Sequence, residues 1–189
     1  MKKNKYIISL FAIMLGIIPI ACTMFIGGPS YPETTIPVST ESISELNQQV
    51  QAAETEAAAS GIITLTVTES QITSLLVSKL EAEPNPIIYN PQVFLQNGEI
   101  QVYGQAVMGT MKANIRVILT VTLDPDGTPI LSISSADFGP LPAPDILKNQ
   151  FSSFIDQAFT GSLGPAVTGI RIENITIANG LMTVSGRTK

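Results

Sequence analysis

The chain has 189 residues, with no histidine, no tryptophan and a single cysteine, Cys22. This removes the commonest general base, the usual imidazole and thiolate metal ligands, and the Ser-His and Cys-His pairs of nucleophilic catalysis, so neither an enzyme nor a metal or cofactor site is expected. Three of the ten Lys and Arg precede residue 6 while all fifteen Asp and Glu follow it, leaving seven cations against fifteen anions, a balance of −8, that disfavours nucleic acid and simple adhesion to an anionic bilayer.

After Lys2, Lys3 and Lys5 comes Tyr6–Ile26, twenty-one residues without a charge. Such a run is either a secretory leader or one membrane-spanning helix, because roughly 20 apolar residues cross a hydrocarbon core. On both readings the remainder works outside the cytoplasm, and it is expected to be anchored to the outer face of the cell membrane by a spanning helix or by a lipid on the cysteine. Cys22 follows Pro19-Ile20-Ala21, which resembles a bacterial lipobox and makes Cys22 a candidate for acylation. The competing reading is an uncleaved anchor with an incidental cysteine. Cys22 has no partner for an intrachain disulfide.

Residues 27–40 hold Pro29, Pro32 and Pro37 without a period and read as an extended linker. Residues 41–60 carry Ile43, Leu46, Val50, Ala53 and Ala57 at helical spacing, a narrow stripe suited to light packing or to a partner, and Gly61 is a plausible stop. The main domain is expected over 61–189. It begins with a strand at 62–67, then Thr68 and Gln71 form a capping box for a helix to about Glu83, with Ile72, Leu75, Leu76 and Leu80 on one face. Pro84 and Pro86 end that helix.

From Pro91 to Phe138 the pattern has period two. Asn97-Gly98 marks a hairpin. The longest strand puts Met111, Ala113, Ile115, Val117, Leu119, Val121 and Leu123 on one face, with Lys112, Asn114 and Arg116 on the other. Asp124-Pro125-Asp126-Gly127 has two carboxylates of a calcium loop but no closing Glu, and reads as a plain turn. A strand from about Ile130 to Ser135 completes a meander.

Pro140, Pro142 and Pro144 precede a predicted amphipathic helix at 144–161, with Phe151, Phe154 and Phe159 on its apolar stripe. A last hairpin, 170–177 and 181–186, turns at Asn179-Gly180. Asn174-Ile175-Thr176 matches a glycosylation sequon but falls in this predicted strand. Asp137, Asp145, Asp156 and Glu173 read as solvated or capping carboxylates. The expected fold class is therefore α+β, an antiparallel meander plus a C-terminal hairpin packed on a long amphipathic helix, behind the N-terminal signal or anchor helix. The apolar sheet face and the phenylalanine stripe either enclose a ligand or pack on each other as an ordinary core.

Four segments carry a family resemblance: Leu65–Leu76 with its Thr68-Glu69-Ser70-Gln71 helix start, Asn90–Gly104 around Asn97-Gly98-Glu99-Ile100, Phe138-Gly139-Pro140-Leu141-Pro142, and Ile172–Gly186. In this order they resemble the LmeA-like phospholipid-binding family of bacterial cell-envelope proteins, and are also similar to the YpmS-like membrane-anchored proteins. The resemblance implies a curved sheet wrapped against a long helix, similar to the tubular lipid-binding superfamily, with acyl chains held between them. Mapped onto this chain, the groove is Ile115, Val117, Leu119 and Val121 on the sheet and Phe151, Phe154 and Phe159 on the helix. No headgroup ligand carries over; Lys112 and Arg116 are the clustered cations of the sheet. The expected partner is a membrane lipid or lipid-like ligand. The alternative is a non-catalytic module that docks another envelope protein through an exposed apolar patch.

Overall fold

A computed structural model describes residues 23–140 and 169–189. Cys22, the predicted helix at 144–161 and its Phe151, Phe154 and Phe159 lie outside the described residues. In chain order the elements are β1 (Met24–Phe25), α1 (Thr40–Ser60), β2 (Ile62–Thr68), α2 (Glu69–Ala82), β3 (Ile88–Gln96), β4 (Glu99–Met108), β5 (Met111–Leu123), β6 (Pro129–Asp137), β7 (Ile170–Ala178) and β8 (Leu181–Thr188).

Among the described residues the architecture is α+β, with a curved, half-barrel sheet and two helices. Five strands run β1-β5-β4-β3, with β6 also on β5, and three run β2-β8-β7. The meander is antiparallel, as its turns require, but β1 pairs with β5 in parallel, so the larger sheet is mixed and not purely antiparallel. The exception has a local cause. β6 pairs with β5 only from Arg116 to Leu123, and β1 occupies the free edge ahead of it, at Met111 and Lys112. Met24–Ile26 thus leave the apolar leader to become sheet, and Tyr6–Thr23, eighteen residues, remain ahead of it.

The narrow stripe of α1 buries Leu46, Val50, Ala53 and Ala57 against β2 and α2. Small side chains suffice because β2 answers with Ile63, Leu65 and Val67 in strict alternation. Ser39 caps the start of α1, and Gly61, at φ 73°, closes its end through its N–H to Ala57 O. α2 begins with the expected capping box of Thr68 and Gln71. It then buries Gln71, Thr73 and Ser74 as well as Leu76, because it is wedged between α1, β3 and the chain ahead of α1. Each polar group has a partner: Gln71 Nε2 donates to Gln49 Oε1 (3.2 Å), Val93 N–H to Thr73 Oγ1 (3.1 Å), and Ser39 N–H to Ser74 Oγ (3.0 Å).

The two sheets meet at what we term the lower end of the five-stranded sheet. Its Asn97-Gly98 turn and the Asn179-Gly180 turn of the smaller sheet, both with Asn at positive φ as a two-residue hairpin demands, bond each other reciprocally. Gly98 N–H donates to Ile177 O (3.0 Å) and Gly180 N–H to Leu95 O (2.9 Å). On the far side, Ile172 N–H donates to Gly127 O (3.0 Å), joining β7 to the turn after β5. The upper end holds the Gly109-Thr110 turn, the start of β3 and β1.

The proline-rich segment read as a linker is extended but fastened, from this upper end at Asn114 to the start of α2 at Ser70. Asn114 N–H donates to Gly27 O (2.9 Å), Asn114 Nδ2 to Pro29 O (3.1 Å), and Ser70 Oγ to Pro37 O (2.8 Å). Gly28 is essential to the fit: a Cβ there would stand 2.2 Å from Asn114 O.

Candidate functional site

On the apolar face of the large sheet, antiparallel pairing sets Val93, Val102 and Val117 in one row and Leu95, Ile100 and Leu119 in the next. Ile115, Val117 and Leu119 are 1%, 0% and 3% exposed, and Val121 packs partly buried at their margin. The four sheet residues expected to line a groove are thus brought together in one continuous apolar cluster. Their phenylalanine counterparts are among the residues not described.

One opening among the described residues lies at the upper end of this face. A cleft of about 690 Å³ runs between the C-terminal half of α2, the start of β3 and the proline-rich segment. Val77 and Leu80 come from α2, Ile88 and Tyr89 from β3, Tyr31 and Val38 from the segment. That size and lining suit a small organic ligand or part of a larger one. Ile88 ties the cleft to the core: it is cross-strand from Ala106, which is cross-strand from Ala113, on the same face as Ile115. The cleft is therefore the margin of the apolar sheet face, two rungs above Val117.

Its mouth is shaped by a bulge in β3 between Tyr89 and Gln92, where Asn90 takes φ 48°. The bulge turns the Asn90 carbonyl toward the Tyr31 hydroxyl, which donates to it, and aims Gln92 at the segment, where its Oε1 accepts Ile36 N–H. Burial raises the Tyr31 phenol above its ordinary pKa, so at neutral pH it is a neutral donor. An amide ladder, Asn90 Nδ2 to Gln105 Oε1 (3.0 Å) and Gln105 Nε2 to Asn114 Oδ1 (3.4 Å), then crosses the outer face to the Pro29 carbonyl. Sequence reasoning missed Tyr31, Val77, Tyr89 and Gln92. Asn90-Pro91 before a period-two run was the available signal, since proline interrupts a ladder and marks bulges.

A second cleft, about 580 Å³, sits at the lower end between the two Asn-Gly turns and is lined by polar groups including Glu69, Gln96 and Asn97. Glu69 Oε1 is already engaged by Leu95 N–H at 2.8 Å. Asp124 is similarly occupied within its own turn: its Oδ1 accepts N–H from Thr128 (2.7 Å) and Asp126 (2.9 Å), and the Thr128 bond leads in lowering its pKa. Among the described residues no three His, Cys, Asp or Glu groups converge as metal ligands. Lys112 and Arg116 lie on the outer face of β5, and the Arg116 Nε is enclosed without a hydrogen-bond partner among the described residues.

No known protein family matches the chain, and no curated protein matches it. No described helix is long and apolar enough to cross a membrane; residues 1–22 fall outside that statement.

Proposed function

We propose that this chain is a membrane-tethered, extracytoplasmic domain of a bacterial cell envelope that binds a phospholipid or another lipid-like ligand by its acyl part, without catalysis. The tether is the basic-then-apolar N-terminus, acting as a spanning helix or through a lipid on Cys22. What supports this reading most is the continuity at Ile88 between an apolar cleft and the apolar face of a curved sheet. The resemblance of Leu65–Leu76, Asn90–Gly104 and Ile172–Gly186 to LmeA-like proteins points the same way. In this reading the amphipathic stretch 144–161, with Phe151, Phe154 and Phe159, supplies the second wall of the groove. Each methylene taken from water contributes about 0.8 kcal/mol, so a partly enclosed chain is held without a specific headgroup contact.

Native mass spectrometry of the full chain, extracted from bacterial membranes in mild detergent, tests the proposal. The expected result is a stoichiometric lipid adduct that Leu80→Asp, on the cleft wall, removes in a chain that still unfolds in one cooperative thermal transition. A bare chain that takes up nothing from phospholipid micelles defeats it. That outcome would favour the second reading, docking of another envelope protein by strand addition at β6. There Ile130 and Ile133 are 47% and 44% exposed on a nine-residue strand whose one charge is Asp137.

A further inference from the structure

The upper end of the large sheet carries more than the cleft. Met108, Met111 and Met24 stand side by side across β4, β5 and β1 on one face, and Val107, Lys112 and Phe25 on the other. Met24 is 64%, Phe25 56% and Met111 38% exposed. The turn between them, Gly109-Thr110, is exposed and uncharged. One of these eight residues is charged, and it is a cation in a region whose overall balance is strongly acidic. Glu99, Asp124 and Asp126 lie at the opposite end of the same strands. Single exposed apolar residues need no explanation, but three side by side at one tip, flanked by the half-buried Val107 and Met108, do.

We infer that this tip, residues 107–112 with Met24 and Phe25, is seated in the interfacial layer of the bilayer to which the chain is tethered. The inference rests on the tethered reading above and adds to it an orientation. The occupant follows from where the chain leads: Met24 is joined through Thr23 to the eighteen uncharged residues Tyr6–Thr23, and an extended residue spans at most about 3.6 Å. Whether the membrane group is a helix or an acylated Cys22, the tip lies within two residues of it. Unbranched methionines and a phenylalanine adapt to the disordered boundary between acyl chains and headgroups, and Lys112 lies at the level of the headgroups, its stem along the apolar surface.

The orientation gives the cleft a supply route. Ile88 is paired with Ala106, and Val107 N–H donates to Ile87 O (2.9 Å), so the cleft wall begins at the rung next to the tip. A lipid entering it passes from the bilayer surface into protein without crossing water.

The absence of tryptophan makes the test clean. The full chain carrying Met111→Trp, or Phe25→Trp should that variant fold poorly, is reconstituted into phosphatidylcholine–phosphatidylglycerol vesicles with brominated acyl chains. Leu181→Trp, an exposed apolar site on the smaller sheet, serves as reference. The tip tryptophan should emit at shorter wavelength and lose intensity to the bromines, and the reference should do neither. Vesicle flotation of the same samples reads the tether separately. A chain that fails to float overturns the tether and the seated tip together. A chain that floats while the tip tryptophan emits like the reference leaves the tether standing and overturns the seating.

Discussion

The two ends of the five-stranded sheet are built by different means. At the lower end the bonds are backbone to backbone: two Asn-Gly turns exchange hydrogen bonds, and Ile172 N–H closes on Gly127 O. Glu69 adds a carboxylate to Leu95 N–H, and the cleft that remains is polar. At the upper end a proline-rich segment is held largely by side chains, Tyr31 on the Asn90 carbonyl, Gln92 on Ile36 N–H and Asn114 on the Pro29 carbonyl. The cleft there is apolar, and the exposed Met24 and Met111 stand at the same end of the sheet. Backbone bonds locked into two sheets break only when the sheets part, whereas side-chain clips on one segment open locally. The lower end is the firmer foundation, and in the lipid-binding function proposed above the upper end is where a ligand is admitted at small cost.

Breaking the foundation should have the largest effect. Gly127 has φ 76°, and a Cβ there would stand 2.6 Å from the Ile172 carbonyl oxygen and 2.5 Å from Arg171 Cγ. The arginine can move, but the carbonyl belongs to β7. Left-handed backbone costs a non-glycine residue about 1–2 kcal/mol, and overpacking about 1–3 kcal/mol. Gly127→Ala should therefore lose about 2–5 kcal/mol, read as a lower urea midpoint at unchanged slope. A loss below about 0.5 kcal/mol, the range of ordinary surface substitutions, would mean that this seam holds nothing. Tyr31→Phe makes the counterpart at the upper end. It removes one half-exposed hydrogen bond, so the loss should be about 0.5–1.5 kcal/mol. Faster amide exchange should be confined to residues 29–38 and 86–92. Exchange that spreads to β7 would erase the distinction between the two ends.

The turns of the lower end were legible in the sequence because they are local devices, whereas the bonds that join them, between residues 45 to 85 apart, were not. Asn97-Gly98, Asn179-Gly180 and Asp124–Gly127 announce turns within two to four residues, and the period-two run from Met111 to Leu123 fixes which face of β5 is buried. The α1 stripe was visible too, although its partner was not, since nothing in Ala53 or Ala57 says that β2 lies beneath. The upper end was largely illegible because it is made of long-range contacts by residues with weak propensities. A proline-rich stretch looks the same whether it hangs free or is clipped to a sheet edge. The difference rests on Asn114, Asn90 and Gln92, between fifty-six and eighty-five residues away from their partners. The apolar residues on β5 were identified by alternation, but the opening beside them depends on a bulge at Asn90-Pro91 that alternation cannot express.

Titration sharpens the comparison with the smallest effects, because the two ends should yield to opposite extremes of pH. Asp124 has its carboxyl held below the ordinary range, first by the Thr128 N–H. A carboxyl lowered in the folded state contributes stability that is present above its unfolded pKa and lost as pH falls through the folded one. The stability difference between wild type and Asp124→Asn should therefore shrink on acidification below about pH 4, while the same difference for Tyr31→Phe stays level. For Tyr31 the sign reverses, since burial raises its pKa. Its contribution is complete below its unfolded pKa and disappears as pH rises through the folded one, so the Tyr31→Phe difference should shrink above about pH 10. Using differences cancels the titrations common to both chains. Urea unfolding across the pH range reads all four limbs, and a level Asp124→Asn difference in acid would mean that the carboxylate charge does not hold the lower turn.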